Sequence, residues 1–188
     1  MSTPTAHRTD TLIIGAGISG IGVACRVRQE FPDRDVTILE RRDAIGGTWD
    51  LFRYPGIRSD SDMFTFGYDF RPWDELKVLA DGESIRDYVT QTAKEFGVDQ
   101  RIQYGLKVLT ANWSSAEQSW TVTALREATG ETETWTCSFL VTATGYYNHD
   151  QGYLPDFPGA DTFEGTQIHP QHWPENLDYA GKKVVVIG

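Results

Sequence analysis

Three glycines, Gly15, Gly17 and Gly20, stand in the order G-x-G-x-x-G between a short apolar run and a stretch with helical spacing. In that setting the first glycine makes a tight turn, the second lets backbone approach a pyrophosphate, and the third lets helix and strand pack closely. The helix that follows has unpaired amide hydrogens in its first turn and a dipole that favours negative charge, so its start can seat a diphosphate. Glu40 follows Gly20 by twenty residues, where a second strand should end and a carboxylate can accept hydrogen bonds from ribose hydroxyls. Such a carboxylate repels a 2′-phosphate, so the spacing suits FAD or NAD rather than NADP. The adjacent Arg41 and Arg42 work against that preference. A second glycine pair, Gly46 and Gly47, precedes Thr48 and Trp49 and can bring the chain back across a ligand beyond its pyrophosphate. An isoalloxazine ring needs such a cover, which favours FAD.

The elements that must hold these residues follow from the hydrophobic pattern. Residues 11–14 form an apolar run that reads as a buried parallel strand. Residues 18–31 suit a helix stopped by Pro32 and Asp33, and residues 36–39 form a second strand, giving a βαβ unit. Residues 44–75 have no clean period and are rich in aromatics and glycine, which predicts a loop packed over something. Ser84 reads as an N-cap with Asp87 three residues on, and Ile85, Tyr88, Val89, Ala93 and Phe96 form a core-packing helical stripe that ends at Gly97. Residues 106–141 alternate apolar and polar positions with a turn near 128–131, predicting an antiparallel meander. Residues 146–182 hold four of the eight prolines and read as an ordered linker, after which 183–188 would be the first strand of another domain. Residues 1–145 would then be the N-terminal part of the first domain.

Composition excludes other classes. A net charge of −10 argues against nucleic acid or an anionic membrane as partner. No apolar stretch approaches the roughly 20 residues needed to cross a bilayer, and the polar first ten residues lack the pattern of a secretory signal, so a cytoplasmic protein is expected. Cys25 and Cys137 lack the number and spacing of a disulfide framework or zinc site and are expected to be buried. His169 and His172 have no nearby cysteine or carboxylate cluster and make an incomplete metal site, so no metal is expected. His7 and His149 carry no signal.

Taken together, "GAGISG", "LERRDAIGGTWDLFRYPGIRSDSDMFTFGY" and "ATGYYN" resemble the flavin-containing monooxygenases that carry two dinucleotide-binding domains. Phe163, Gly165, His169, Trp173 and Pro174 match F-x-G-x-x-x-H-x-x-x-W-P, the fingerprint of type I Baeyer–Villiger monooxygenases, and the chain looks closest to the branch of the ethionamide-activating enzyme.

The resemblance implies an α/β, Rossmann-like FAD-binding domain with an antiparallel β-meander, and a chemistry in which NADPH reduces FAD and O2 then gives a C4a-peroxyflavin. That species would oxygenate a ketone or a sulfur-containing substrate, with the protein supplying orientation and charge placement. It also implies that Gly15, Gly17, Ser19, Gly20 and Glu40 hold the adenosine diphosphate half of FAD, that Gly47, Thr48, Trp49, Asp50 and Leu51 line the remainder, and that Val108 meets the adenine through its backbone. Arg58, Ser59 and Asp60 would face both NADP and flavin, with Asp60 hydrogen-bonding a catalytic arginine that lies downstream in the family and is absent from this chain. The expectation is therefore a fragment cut at the start of the NADP domain and inactive alone. Two rivals stand beside it: a non-catalytic flavin- or partner-binding module that self-associates through its exposed C-terminal strand, and an NAD-dependent dehydrogenase. The residues at 46–49 and the fingerprint count against the dehydrogenase.

Overall fold

The computed structural model describes residues 5–187. β1 (Thr5–Ile14), α1 (Ile18–Glu30) and β2 (Val36–Leu39) form the expected strand–helix–strand unit. Two short helices, α2 (Thr48–Leu51) and α3 (Met63–Phe66), interrupt the long loop before α4 (Gly82–Glu95). β3 (Ile102–Gln103) is followed by the meander of β4 (Leu106–Ser114), β5 (Ser119–Arg126) and β6 (Glu131–Thr142). All six strands lie in one sheet in the order β3-β2-β1-β6-β5-β4. β1 runs parallel to both β2 and β6, whereas β4, β5 and β6 pair antiparallel, so the meander continues the parallel sheet rather than standing apart from it.

Successive residues of β1 and β2 feed opposite faces of the sheet, as the two-residue period of a strand requires. Ile13 and Ile38 meet Ile21, Ala24 and Cys25 of α1 and Ile85, Val89 and Ala93 of α4 on one face. Leu12 and Leu39 meet Leu106, Val122, Ala124, Trp135 and Cys137 on the other. The near-continuous apolar runs of these strands reflect burial on both sides. Both cysteines are buried free thiols, and burial pushes the Cys25 thiol up to about 12.

Several boundaries differ from expectation. β1 starts at Thr5 rather than residue 11 because β6 pairs along the whole of it. The two-residue β3 is too short to carry a period. α4 begins at Gly82, and its N-cap is Asp81 rather than Ser84: the Asp81 carboxylate accepts the Ser84 amide hydrogen at 2.8 Å. Residues 183–187 form no strand, since none of the described strands pairs with them, and Gly188 lies outside the described residues. From residue 143 to 187 the only regular pieces described are two 3-10 turns, Ala160–Thr162 and Pro170–His172. Among the described residues no helix is long and apolar enough to cross a membrane.

The cap gives a testable expectation. Asp81→Ala should cost about 1 kcal/mol, the ordinary worth of an N-cap carboxylate. Lys77, at 2.6 Å, and the Ser84 amide hold the Asp81 carboxyl below the usual carboxylate range. A depressed folded value stabilises fully above the unfolded value near pH 4 and is lost as pH falls toward the folded one. The difference between wild type and Asp81→Ala in urea unfolding should thus be constant above about pH 5 and shrink as the medium is made more acid.

Candidate functional site

The glycine turn sits where β1, β2 and β6 end. Gly15 has φ +104°, and a β-carbon there would lie 2.5 Å from the Ala143 carbonyl oxygen. A β-carbon on Gly20 would lie 1.9 Å from the Gly15 carbonyl oxygen, so this position holds helix against turn. Gly17 differs: its φ is ordinary, and the sole atom near its missing β-carbon is the Gly47 α-carbon at 3.7 Å. Gly47, at φ +55°, approaches Gly17 in return, and a β-carbon on it would be 3.1 Å from the Gly17 α-carbon. The Gly46 amide donates to the Ala16 carbonyl, which fixes the two loops face to face. The two glycine loops therefore meet through backbone alone.

The start of α1 beside these glycines suits a diphosphate. Gly17 is the N-cap of α1 and has no side chain to satisfy the helix start, and the first turn holds no acid. The Ile21 amide returns to Gly17, whereas the amides of Ile18, Ser19 and Gly20 precede the first intrahelical bond and are free to face an anion. Ser19 is exposed beside them.

Glu40 is buried at the end of β2, 5% exposed. Its Oε2 accepts the Ala16 amide at 2.7 Å and its Oε1 accepts the Arg42 amide at 2.8 Å. A carboxylate has about four acceptor positions, so roughly two remain for the vicinal hydroxyls of a ribose. The Glu40 carbonyl also accepts the Leu106 amide, which brings the start of β4 alongside and sets half-buried Val108 near the strand end, next to a register shift before Thr110. The two arginines that counted against FAD are both engaged. Arg41 forks onto Glu127 at 2.9 Å and reaches Asp150 at 2.6 Å, while Arg42 pairs with Asp50 at 2.7 Å.

Asp50 of α2 is buried, its carboxylate is held by Arg42 and Arg53 together, and its β-carbon lies beside Gly46. Thr48, Trp49 and Leu51 lie on that same helix, where Trp49 packs edge-on against Phe66 at 5.9 Å and Leu51 is buried. Trp73 is a core residue whose Nε1 donates to the Lys77 carbonyl. Tyr146 and Tyr147 are exposed.

The Arg58–Asp60 segment is pinned by its middle residue. Ser59 is buried, its amide donates to the Ala80 carbonyl, and its hydroxyl both donates to the Ser61 carbonyl and accepts the Ser61 amide. Arg58 and Asp60 on either side are exposed. The fingerprint residues lie along the linker. The Phe163 ring folds over Gly165, and the His169 imidazole covers Gly152 while its Nδ1 accepts the Gln171 amide. Trp173 meets Tyr179 edge-on, and Pro174 is exposed. His169 and His172 have ring centroids 6.2 Å apart.

Sequence reasoning missed two residues here. His149 is half-buried beside Glu40, Arg41 and Arg42, and burial lowers its pKa. Asp150 bridges Arg41 and Lys107, the latter at 3.0 Å. Neither falls in a periodic segment, so neither carries a signal in a single chain.

A βαβ unit with a glycine turn at an uncapped helix start and a buried carboxylate at the second strand end defines a dinucleotide-binding domain. The chain belongs to the flavin-binding monooxygenase-like family, which it matches over residues 9–188. It is 69% identical over 179 residues to MymA of Mycobacterium tuberculosis, covering 95% of this chain and 36% of that protein. It is 59% identical to the FAD-containing monooxygenase EthA of Mycolicibacterium smegmatis, with the same coverage. Among solved structures it superposes on a steroid monooxygenase bound to NADP with a TM-score of 0.78 at 28% identity, covering 93% of this chain and 33% of that one. A cyclohexanone monooxygenase with cyclohexanone bound gives the same score and identity, covering 94% of this chain and 33% of that one. The chain thus spans about a third of the length of its relatives.

Proposed function

We propose that this chain is the FAD-holding part of an NADPH- and O2-dependent monooxygenase that oxygenates ketones or sulfur-containing substrates. The observation that carries the reading is the side-chain-free meeting of Gly17 and Gly47 at the start of α1, where unpaired amides suit a diphosphate, beside Glu40, a carboxylate with acceptor positions left for a ribose. When bound, the flavin would supply transfer of electrons from NADPH to O2 and of oxygen to the substrate. The residues of this chain do the rest. The α1 amides take the diphosphate charge, Glu40 takes the ribose, and Gly46 to Leu51 carry the chain over the remainder. The pinned segment at Ser59 presents Arg58 and Asp60 toward NADP and toward the arginine supplied by the remainder of the longer relatives. The fingerprint residues from Phe163 to Pro174 would couple the two dinucleotide domains. MymA, EthA and the structural relatives support this reading by family.

A second reading, self-association, is favoured by one observation: Val184, Val185, Val186 and Ile187 are 62–89% exposed and unpaired, and unpaired apolar backbone invites another strand. One experiment addresses both. The full-length protein should be yellow, and NADPH in air should bleach it and drive oxygen uptake that rises with a ketone or sulfide. The 188-residue chain should take up flavin that NADPH leaves oxidised, at a hydrodynamic size that reports any pairing. A colourless protein that takes up NAD and refuses FAD would overturn the proposal.

A further inference from the structure

A protein that uses FAD and NADPH together faces a sorting problem, because both ligands present an adenosine diphosphate to a glycine turn. The first site must refuse the 2′-phosphate that the second accepts. Glu40 contributes by charge, yet the next two residues on the chain are arginines, and an arginine close to the ribose is the usual device for welcoming a 2′-phosphate. One residue beyond Glu40 a cavity of about 440 Å³ is lined by three arginines, Arg41, Arg42 and Arg53, and by three carboxylates, Asp43, Asp50 and Glu127. Without those carboxylates the three arginines would draw NADP into the wrong site.

The structure assigns Glu127 and Asp150 as specificity-determining residues that occupy Arg41 and thereby keep 2′-phosphorylated nucleotides out of the FAD site. This inference rests on the FAD reading above. Glu127 comes from the turn after β5 and grips the Arg41 guanidinium through two hydrogen bonds of 2.9 Å, the planar fork that makes arginine–carboxylate pairing directional. Asp150 comes from the linker, takes the same guanidinium at 2.6 Å and binds Lys107 as well, which removes a second cation beside Val108. Arg42 needs no such guard because Asp50, buried on α2, already holds it. Both guarding carboxyls are held below the usual carboxylate range by Arg41, and Asp150 also by Lys107, so they stay ionised at neutral pH. A 2′-phosphate arriving here meets Glu40 together with arginines already engaged by carboxylates.

Glu127 and Asp150 are 38% and 52% exposed, and solvent screens what they contribute. The expected effect is therefore a change in preference of roughly tenfold. The test uses the full-length apoprotein and reads only the first site, by competition against FAD followed through flavin fluorescence. The competitors are ADP-ribose and its 2′-phosphate, which differ at the one group in question. Wild type should prefer ADP-ribose by at least about tenfold, and Glu127→Gln with Asp150→Asn should reduce that preference by about tenfold. Adding Arg41→Met to the double variant should restore it, which a merely structural role for the two acids would not do. An unchanged ratio in the double variant, or no rescue by Arg41→Met, overturns the inference while FAD binding stands. A wild-type protein that binds no FAD removes the cofactor reading and this inference with it.

Discussion

Gly17→Ala is expected to leave the fold standing and to strip it of flavin. The methyl group meets nothing closer than the Gly47 α-carbon at 3.7 Å, and the backbone at residue 17 is one that alanine adopts freely. The folding cost should be about 1 kcal/mol, that of replacing glycine by alanine at a helix N-cap. The methyl nevertheless projects toward the Gly47 loop, beside the first amides of α1, which on our proposal take the diphosphate. Displacing it by even part of a methyl radius lengthens several charge-assisted hydrogen bonds together, so FAD affinity should fall at least about a hundredfold, or roughly 2.7 kcal/mol. Urea unfolding and fluorescence titration with FAD measure the two quantities separately. A variant whose FAD affinity stays within threefold of wild type would show that the diphosphate does not lie there. Gly20→Ala is the control with the opposite signature: its β-carbon would be 1.9 Å from the Gly15 carbonyl oxygen, and the resulting overpacking should cost about 3 kcal/mol or more before any ligand is added.

That contrast marks how far the residues alone could be read. The motif locates all three glycines and assigns each a task, because turn, close approach and helix packing are local demands that only glycine meets. The β2 boundaries and the three meander strands are likewise written in local period, and β2 ends at Leu39 with Glu40 next, as the spacing requires. What the chain does not display is anything that depends on distant partners. Arg41 and Arg42 read as two cations opposing FAD until Glu127 and Asp50 are seen on them, and the separation of 86 residues between Arg41 and Glu127 leaves no trace in spacing. Asp50 is a ligand-lining residue by resemblance, and the two arginines on its carboxylate are equally invisible in the spacing. β1 reaches back to Thr5 through pairing with β6, a partner more than a hundred residues away, while its polar first half suggests a tail. The run at 183–187 shows the reverse: high β-propensity alone does not make a strand without a neighbour to accept its hydrogen bonds.

Asp60→Asn in the full-length protein should abolish most oxygenation while sparing both the fold and the flavin. The segment that carries it is fixed by Ser59, whose buried hydroxyl and amide together make three hydrogen bonds, so the backbone at residue 60 is positioned before any partner arrives. Asp60 itself is exposed, and removing an exposed charge away from a cap or core is ordinarily worth less than about 0.5 kcal/mol of stability. On our proposal the carboxylate faces, in the complete protein, an arginine that stabilises negative charge developing near the flavin. Asparagine keeps the shape and loses the charge, so the arginine would be neither oriented nor held ionically. Losing one such electrostatic contact in a dry site typically lowers kcat by about a hundredfold to a thousandfold. Product formed per NADPH consumed is the measurement, taken alongside flavin content and thermal midpoint. Glu in place of Asp should recover part of the rate if charge is the essential property, whereas equal loss in the Asn and Glu variants would assign the effect to geometry alone. An Asn variant with wild-type kcat would remove Asp60 from the reaction and leave the segment around Ser59 a purely structural brace.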